Sequence, residues 1–179
     1  MSETSSQHAW TSYVALSTAV MAVLAGVTTL YMGKFSSRAM LSQGLESDQW
    51  AYYQAKSIKA HIFELEGRHL QLEYLAQKDH MAAPAAAEYR KTIDDYAAGG
   101  EKYEKEKGEI KTKAEDLEAQ KGQAQKRGGN FGYSLLFLQT AIMLSSVAAL
   151  TKRKALFLMG LVLLAGWAFF FSDAIWLFY

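Results

Sequence analysis

Apolar and polar positions divide this chain into blocks of very different character. Three stretches carry no Asp, Glu, Lys or Arg: Ser5 to Gly33, Gly128 to Thr151, and Ala155 to Ser172. A helix needs roughly 20 apolar residues to cross a hydrocarbon layer about 30 Å thick. The pattern predicts an N-terminal tail at 1–10 and transmembrane helices at 11–33, 131–150 and 155–173. A basic loop at 151–154 joins the last two as a tight antiparallel pair, and an aromatic tail occupies 174–179.

The intervening 34–130 reads as helix on either side of the single proline, Pro84. Before it, Ala51, Ala55, Ile58, Ile62, Leu65, His69, Leu72 and Ala76 keep a 4-3 spacing. After it, Tyr89, Ile93, Tyr96, Gly100, Tyr103, Lys107, Ile110, Ala114 and Leu117 do the same. That alternation is a heptad seam. It predicts a long antiparallel coiled-coil hairpin with its tip near 79–87, each arm about 40 residues and roughly 60 Å long. Gly99 and Gly100 sit inside the second arm and cost up to about 1 kcal/mol each relative to Ala; they are the points at which that arm can kink or break, and the first arm reads as the more regular. The helix from Thr11 can run unbroken to about Lys78, with Gly33 and Gly44 as its bends. The fold class is an all-α membrane protein with three transmembrane helices and a helical hairpin between the first and second.

Charge and composition narrow the function. Residues 34–130 hold sixteen basic and sixteen acidic side chains, interspersed. Such balance marks a solvated surface and argues against nucleic acid as a partner. The chain has no cysteine, which excludes disulfides and thiolate metal sites. No phosphate loop, nucleophile elbow or paired zinc-histidine motif is present. Glu66 and His69 form one Glu-x-x-His, with Glu73 a further turn along, but carboxylate-bridged bundles need that motif twice plus two more Glu. No metal, cofactor or catalytic residue is expected, and the chain does not read as an enzyme.

The segment SDQWAYYQAKSIK, Ser47 to Lys59, crowds aromatic rings among polar residues. Trp50, Tyr52, Tyr53 and Gln54 are candidates for a partner contact; packing between the arms or snorkelling at the membrane surface are the alternatives. Trp50 lies about 24 Å beyond Lys34 on a straight helix, so anchoring at the surface requires a bend. In the first span Ala15, Ala19, Ala22, Gly26, Thr29 and Gly33 form a small-residue stripe. In lipid such faces let helices approach closely. The stripe packs either on the chain's own spans or on a second copy. Gln139 lies mid-span and is expected to bond between helices, with Ser145 and Ser146 beyond it. Asp173 falls near the end of the third span, where it reaches the interface; it is the one candidate for an ion or proton site.

The runs ALSTAVMAVLAG, SDQWAYYQAKSIK and LTKRK together resemble a bacterial membrane-protein family without assigned activity, the domain-of-unknown-function 4337 family. The resemblance implies the same span, hairpin, span, span order and carries over no catalytic residue.

Orientation signals conflict. Lys152, Arg153 and Lys154 fill a short loop, and short basic loops stay cytoplasmic. This places the N-terminus and that loop inside a bacterial inner membrane and the hairpin in the periplasm. Lys34, Arg38, Lys126 and Arg127 flank the hairpin and favour the reverse. The expected function is structural: a membrane-anchored hairpin that self-associates or holds another membrane protein. The alternative is a subunit of an oligomeric pore or transport complex, lined by Gln139, Ser145 and Ser146 with Asp173 at its mouth.

Overall fold

The structure is a computed structural model that describes the backbone over residues 2–177 and side chains over 10–177. The last residues of the expected aromatic tail, Phe178 and Tyr179, lie outside the described residues. All regular structure among those described is helical: α1 (Ser2–Gln77), a 3-10 turn (Lys78–His80), α2 (Ala83–Thr151) and α3 (Lys154–Trp176). Each α-helix contains a window long and apolar enough to cross a membrane. Only 17%, 28% and 6% of those windows is buried inside the chain. So much uncovered apolar surface suits lipid contact and not water.

The turn between α1 and α2 precedes the proline. Met81 is extended (φ −82, ψ 142), and Pro84 falls in the first turn of α2. Its missing N–H has no helical bond to lose there. The link between α2 and α3 is shorter than the four-residue basic loop: Thr151 ends one helix and Lys154 begins the next. Lys152 takes a left-handed conformation, φ 55, to make the reversal.

The chain divides into two compact units. The apolar unit comprises residues up to Leu41 and from Gln120 onward. In it α1 buries Val14, Met21, Thr28 and Phe35, one residue every seven. α2 buries Ala124, Gly128, Phe131, Ser134, Leu138, Ala141, Ser145 and Ala148 at 3- and 4-residue steps. Met21, Leu138 and Ala141 form one core cluster, joined by Leu24, Leu163 and Trp167. Phe35, Phe131 and Ala174 form another, with Met32 and Phe171. Phe131 stacks on Tyr31 (5.5 Å) and Phe35 (5.7 Å) and meets the edge of Phe171 (5.3 Å). Gly160 sets the α2–α3 spacing: a Cβ there would lie 3.1 Å from Ser145 Oγ and 3.2 Å from the Ala141 carbonyl.

The polar unit is Ser42–Ala119. Its contacts pair rising positions on α1 with falling ones on α2. Lys56 meets Glu106, Phe63 meets Tyr103 and Tyr96, and Tyr74 meets Arg90. The second-arm seam faces inward, with Ile110 and Ala114 buried and its other members half-buried. The first-arm seam does not. All eight residues from Ala51 to Ala76 named for it are exposed. The inward face of α1 is instead Lys56, Ala60, Phe63, Gly67, Leu70 and Tyr74. Aromatic rings set against small residues hold this unit, so the aliphatic stripe is left outside.

Gly99 and Gly100 do not break the second arm, and α2 runs through them. A Cβ on Gly99 would approach within 2.3 Å of the Phe63 ring. The glycine admits a ring that is also held by Tyr96 (5.3 Å) and Tyr103 (5.2 Å). That packing offsets the helix penalty of the glycine. Gly108, by contrast, has nothing within 4 Å of a Cβ. Gly108→Ala should therefore stabilise the full chain by up to about 1 kcal/mol, while Gly99→Ala should destabilise it by about 1–3 kcal/mol through overpacking. Thermal unfolding in detergent, followed by helical circular dichroism, checks the opposite signs; equal shifts would refute this role for Gly99.

Candidate functional site

Polar groups inside the apolar unit tie its three helices together. Ser134 Oγ on α2 donates to the Trp167 carbonyl of α3 at 3.3 Å. Trp167 Nε1 donates to Thr28 Oγ1 of α1 at 3.2 Å, and Thr28 Oγ1 donates to the Leu24 carbonyl at 2.8 Å. Thr28 and Ser134 are fully buried. In hydrocarbon an unpaired polar group costs several kcal/mol, so this relay holds three helices in one register. None of its members stands out in a hydropathy pattern, since Ser and Thr are common in spans; a Trp within a span, whose N–H needs an acceptor, is the one sequence hint.

Asp173, expected near the end of the third span, is enclosed by protein. It is 4% exposed, and Asn130 Nδ2 donates to its Oδ2 at 2.5 Å. Its backbone carbonyl also accepts the α3 C-cap bond from Leu177 N at 2.7 Å. The burial follows from the short α2–α3 link, which brings Asn130 opposite the end of α3. Ser145 Oγ is buried and, among the described residues, has no hydrogen-bond partner.

The small-residue stripe lies elsewhere. Ala15, Ala19, Ala22, Gly26, Thr29 and Gly33 are all exposed, and Cβ atoms on Gly26 and Gly33 would meet nothing within 4 Å. Of the two alternatives, the chain's own spans do not cover this stripe: Val14, Met21, Thr28 and Phe35 take that contact. Gln139 is likewise exposed, not set between helices, because α2 turns Leu138 and Ala141 inward.

In the polar unit the Trp-Tyr-Tyr segment is split between faces. Trp50 is half-buried and meets the Tyr53 ring edge-on at 5.5 Å. Tyr53 is half-buried beneath the Lys107 ammonium, 5.7 Å away. Tyr52 is 50% exposed and Gln54 is exposed. Lys56 sits near the Tyr52 and Tyr103 rings (5.3 and 5.0 Å) and pairs with Glu106 at 2.5 Å. The hydrogen bond raises the Lys56 pKa and lowers that of Glu106, so the pair contributes stability between the acid and alkaline extremes and loses it beyond either. A cavity of about 320 Å³ opens beside Phe63, Gly67, Ile93, Tyr96 and Gly100. Glu66 and His69 are exposed, while Glu73 accepts from Tyr89 Oη at 3.5 Å. Among the described residues no three His, Asp or Glu side chains converge.

Three long helices with uncovered apolar windows define an all-α protein suited to a membrane. The chain belongs to the domain-of-unknown-function 4337 family, whose model matches residues 10–177. No curated protein and no solved structure matches it.

The Asn130–Asp173 pair makes a separable prediction. Asp173→Leu strands the Asn130 amide and should cost about 1–3 kcal/mol. Replacing both with Leu should recover much of that loss, because neither polar group is then buried alone. Thermal unfolding of the two variants in detergent decides; a double variant no better than the single one would show that the pair is not what matters.

Proposed function

We propose that this chain is a membrane-anchored structural protein that presents a helical hairpin outside the lipid and self-associates through its first span. The observation that carries the reading is the uncovered stripe Ala15, Ala19, Ala22, Gly26, Thr29 and Gly33. Small residues at this spacing are uncommon neighbours for lipid chains and favourable ones for another helix, because backbones then approach closely. The paired contacts from Lys56–Glu106 to Tyr74–Arg90 support a hairpin in the polar unit. Its role is interaction without catalysis; the sequence holds no motif that supplies a nucleophile, a phosphate cradle or a paired metal site.

A pore lining finds less support. Gln139 and Ser146 are exposed while Ser145 is buried, and Ser146 Oγ is spent on the Ile142 carbonyl at 2.9 Å.

Gly26→Leu tests the association directly. Gly26 is exposed and a Cβ there meets nothing within 4 Å, so the monomer should keep its fold while a close helix contact is blocked. The dissociation constant should rise at least about tenfold, equivalent to 1.4 kcal/mol, as read by light scattering in mild detergent. An unchanged copy number would reject the first span as the contact.

The orientation we propose puts the N-terminus and residues 151–154 in the cytoplasm and the polar unit in the periplasm of a bacterial inner membrane; the basic loop Lys152, Arg153 and Lys154 supports it. A reporter fused near Pro84 that works only outside the cytoplasm should be active. Activity confined to a cytoplasmic reporter at that site would reverse the orientation.

A further inference from the structure

The polar unit leaves an aliphatic stripe in the open. Ile58, Ile62, Leu65 and Leu72 are 62%, 50%, 65% and 68% exposed. Ala51 and Ala55 extend the stripe at one end. These residues lie on a segment dense in charge, where no lipid is expected to cover them. Exposed apolar rows of this kind mark an interaction surface.

We propose that the stripe is a parallel coiled-coil seam with a second copy of this chain. The proposal rests on the membrane-anchored, self-associating reading above. Four observations favour a second copy. The spacing alternates 4 and 3 over Ala51–Ala76, which is the repeat that lets a helix pack on its own duplicate. The inward contacts of α1, Ala60, Phe63, Gly67 and Leu70, use other heptad positions on the far side of the helix, so both contacts are satisfied together. Anchoring in one membrane sets all copies in the same direction, as a parallel pair requires. The flanking charges then match: in a parallel pair, a residue before each first seam position faces one five residues later on the partner helix. Arg68, which pairs with Glu64 of its own helix at 2.6 Å, thereby also faces Glu73 of the other copy. His69 is the one polar seam residue, the device by which coiled coils fix register at a cost in stability.

The absence of cysteine from the chain makes the test clean. Ile62→Cys and Leu65→Cys are introduced singly into the full chain in lipid nanodiscs, with Lys91→Cys, exposed on α2, as control. In a parallel seam each new thiol faces its own counterpart. Mild oxidation should link most of the Ile62→Cys and Leu65→Cys chains as dimers and little of the Lys91→Cys chain. Equal linking by all three, or none by the first two, overturns the proposal. Ile62→Lys/Leu65→Lys should weaken association at least tenfold with its helical signal intact, since both positions are exposed; His69→Leu should tighten it. If the lysine variant keeps the native copy number while Gly26→Leu loses it, the seam is wrong and the first-span reading stands. If the unmodified chain is monomeric throughout, the self-association reading fails as well.

Discussion

Hydrocarbon offers no partner to a backbone N–H or C=O, and that single constraint organises this molecule. Three stretches of this chain are long and apolar enough to cross lipid, and a helix satisfies the main chain within each of them. Once begun, a helix has no reason to stop at the headgroups unless a residue stops it. Between Ser2 and Gln77 nothing does, nor between Ala83 and Thr151, despite Gly99, Gly100, Gly128 and Gly129. One rule of hydrogen bonding thus yields two very long helices that each supply both an apolar and a polar unit.

Within each unit the helices are fitted by the same device, a ring set against a residue without bulk. Gly99 receives Phe63 in the polar unit, and Gly166 lies against Phe137 in the apolar one. Phe137 in turn stacks on Phe170 at 5.5 Å. Aromatic surface supplies much burial per residue at little rotamer cost, which matters when so few side chains are fully enclosed. Polar ties then add register that apolar packing alone lacks, through Ser134, Trp167 and Thr28 in one place and Asn130 with Asp173 in another.

How much of this the sequence disclosed depended on whether one signal or two competed. Charge-free runs located the membrane-length helices, because no other feature mimics them. The second-arm seam was legible because only one 4-3 row, Tyr89 to Leu117, exists there. The first arm carries two such rows on opposite faces. Hydrophobicity favours the row of Ile and Leu, yet the row with Ala60, Phe63 and Gly67 is the one that meets α2, since ring stacking and close approach outweigh aliphatic content. The partner of Asp173 was hidden for a related reason: Asn130 comes opposite it only once α2 and α3 are paired.

The two-residue reversal at Lys152 and Arg153 leaves no slack between α2 and α3. A residue added to or removed from either helix between Asn130 and Asp173 would slide the one past the other by about 1.5 Å and rotate it away. Chain length, as well as the hydrogen bond, therefore keeps the carboxylate on its amide partner.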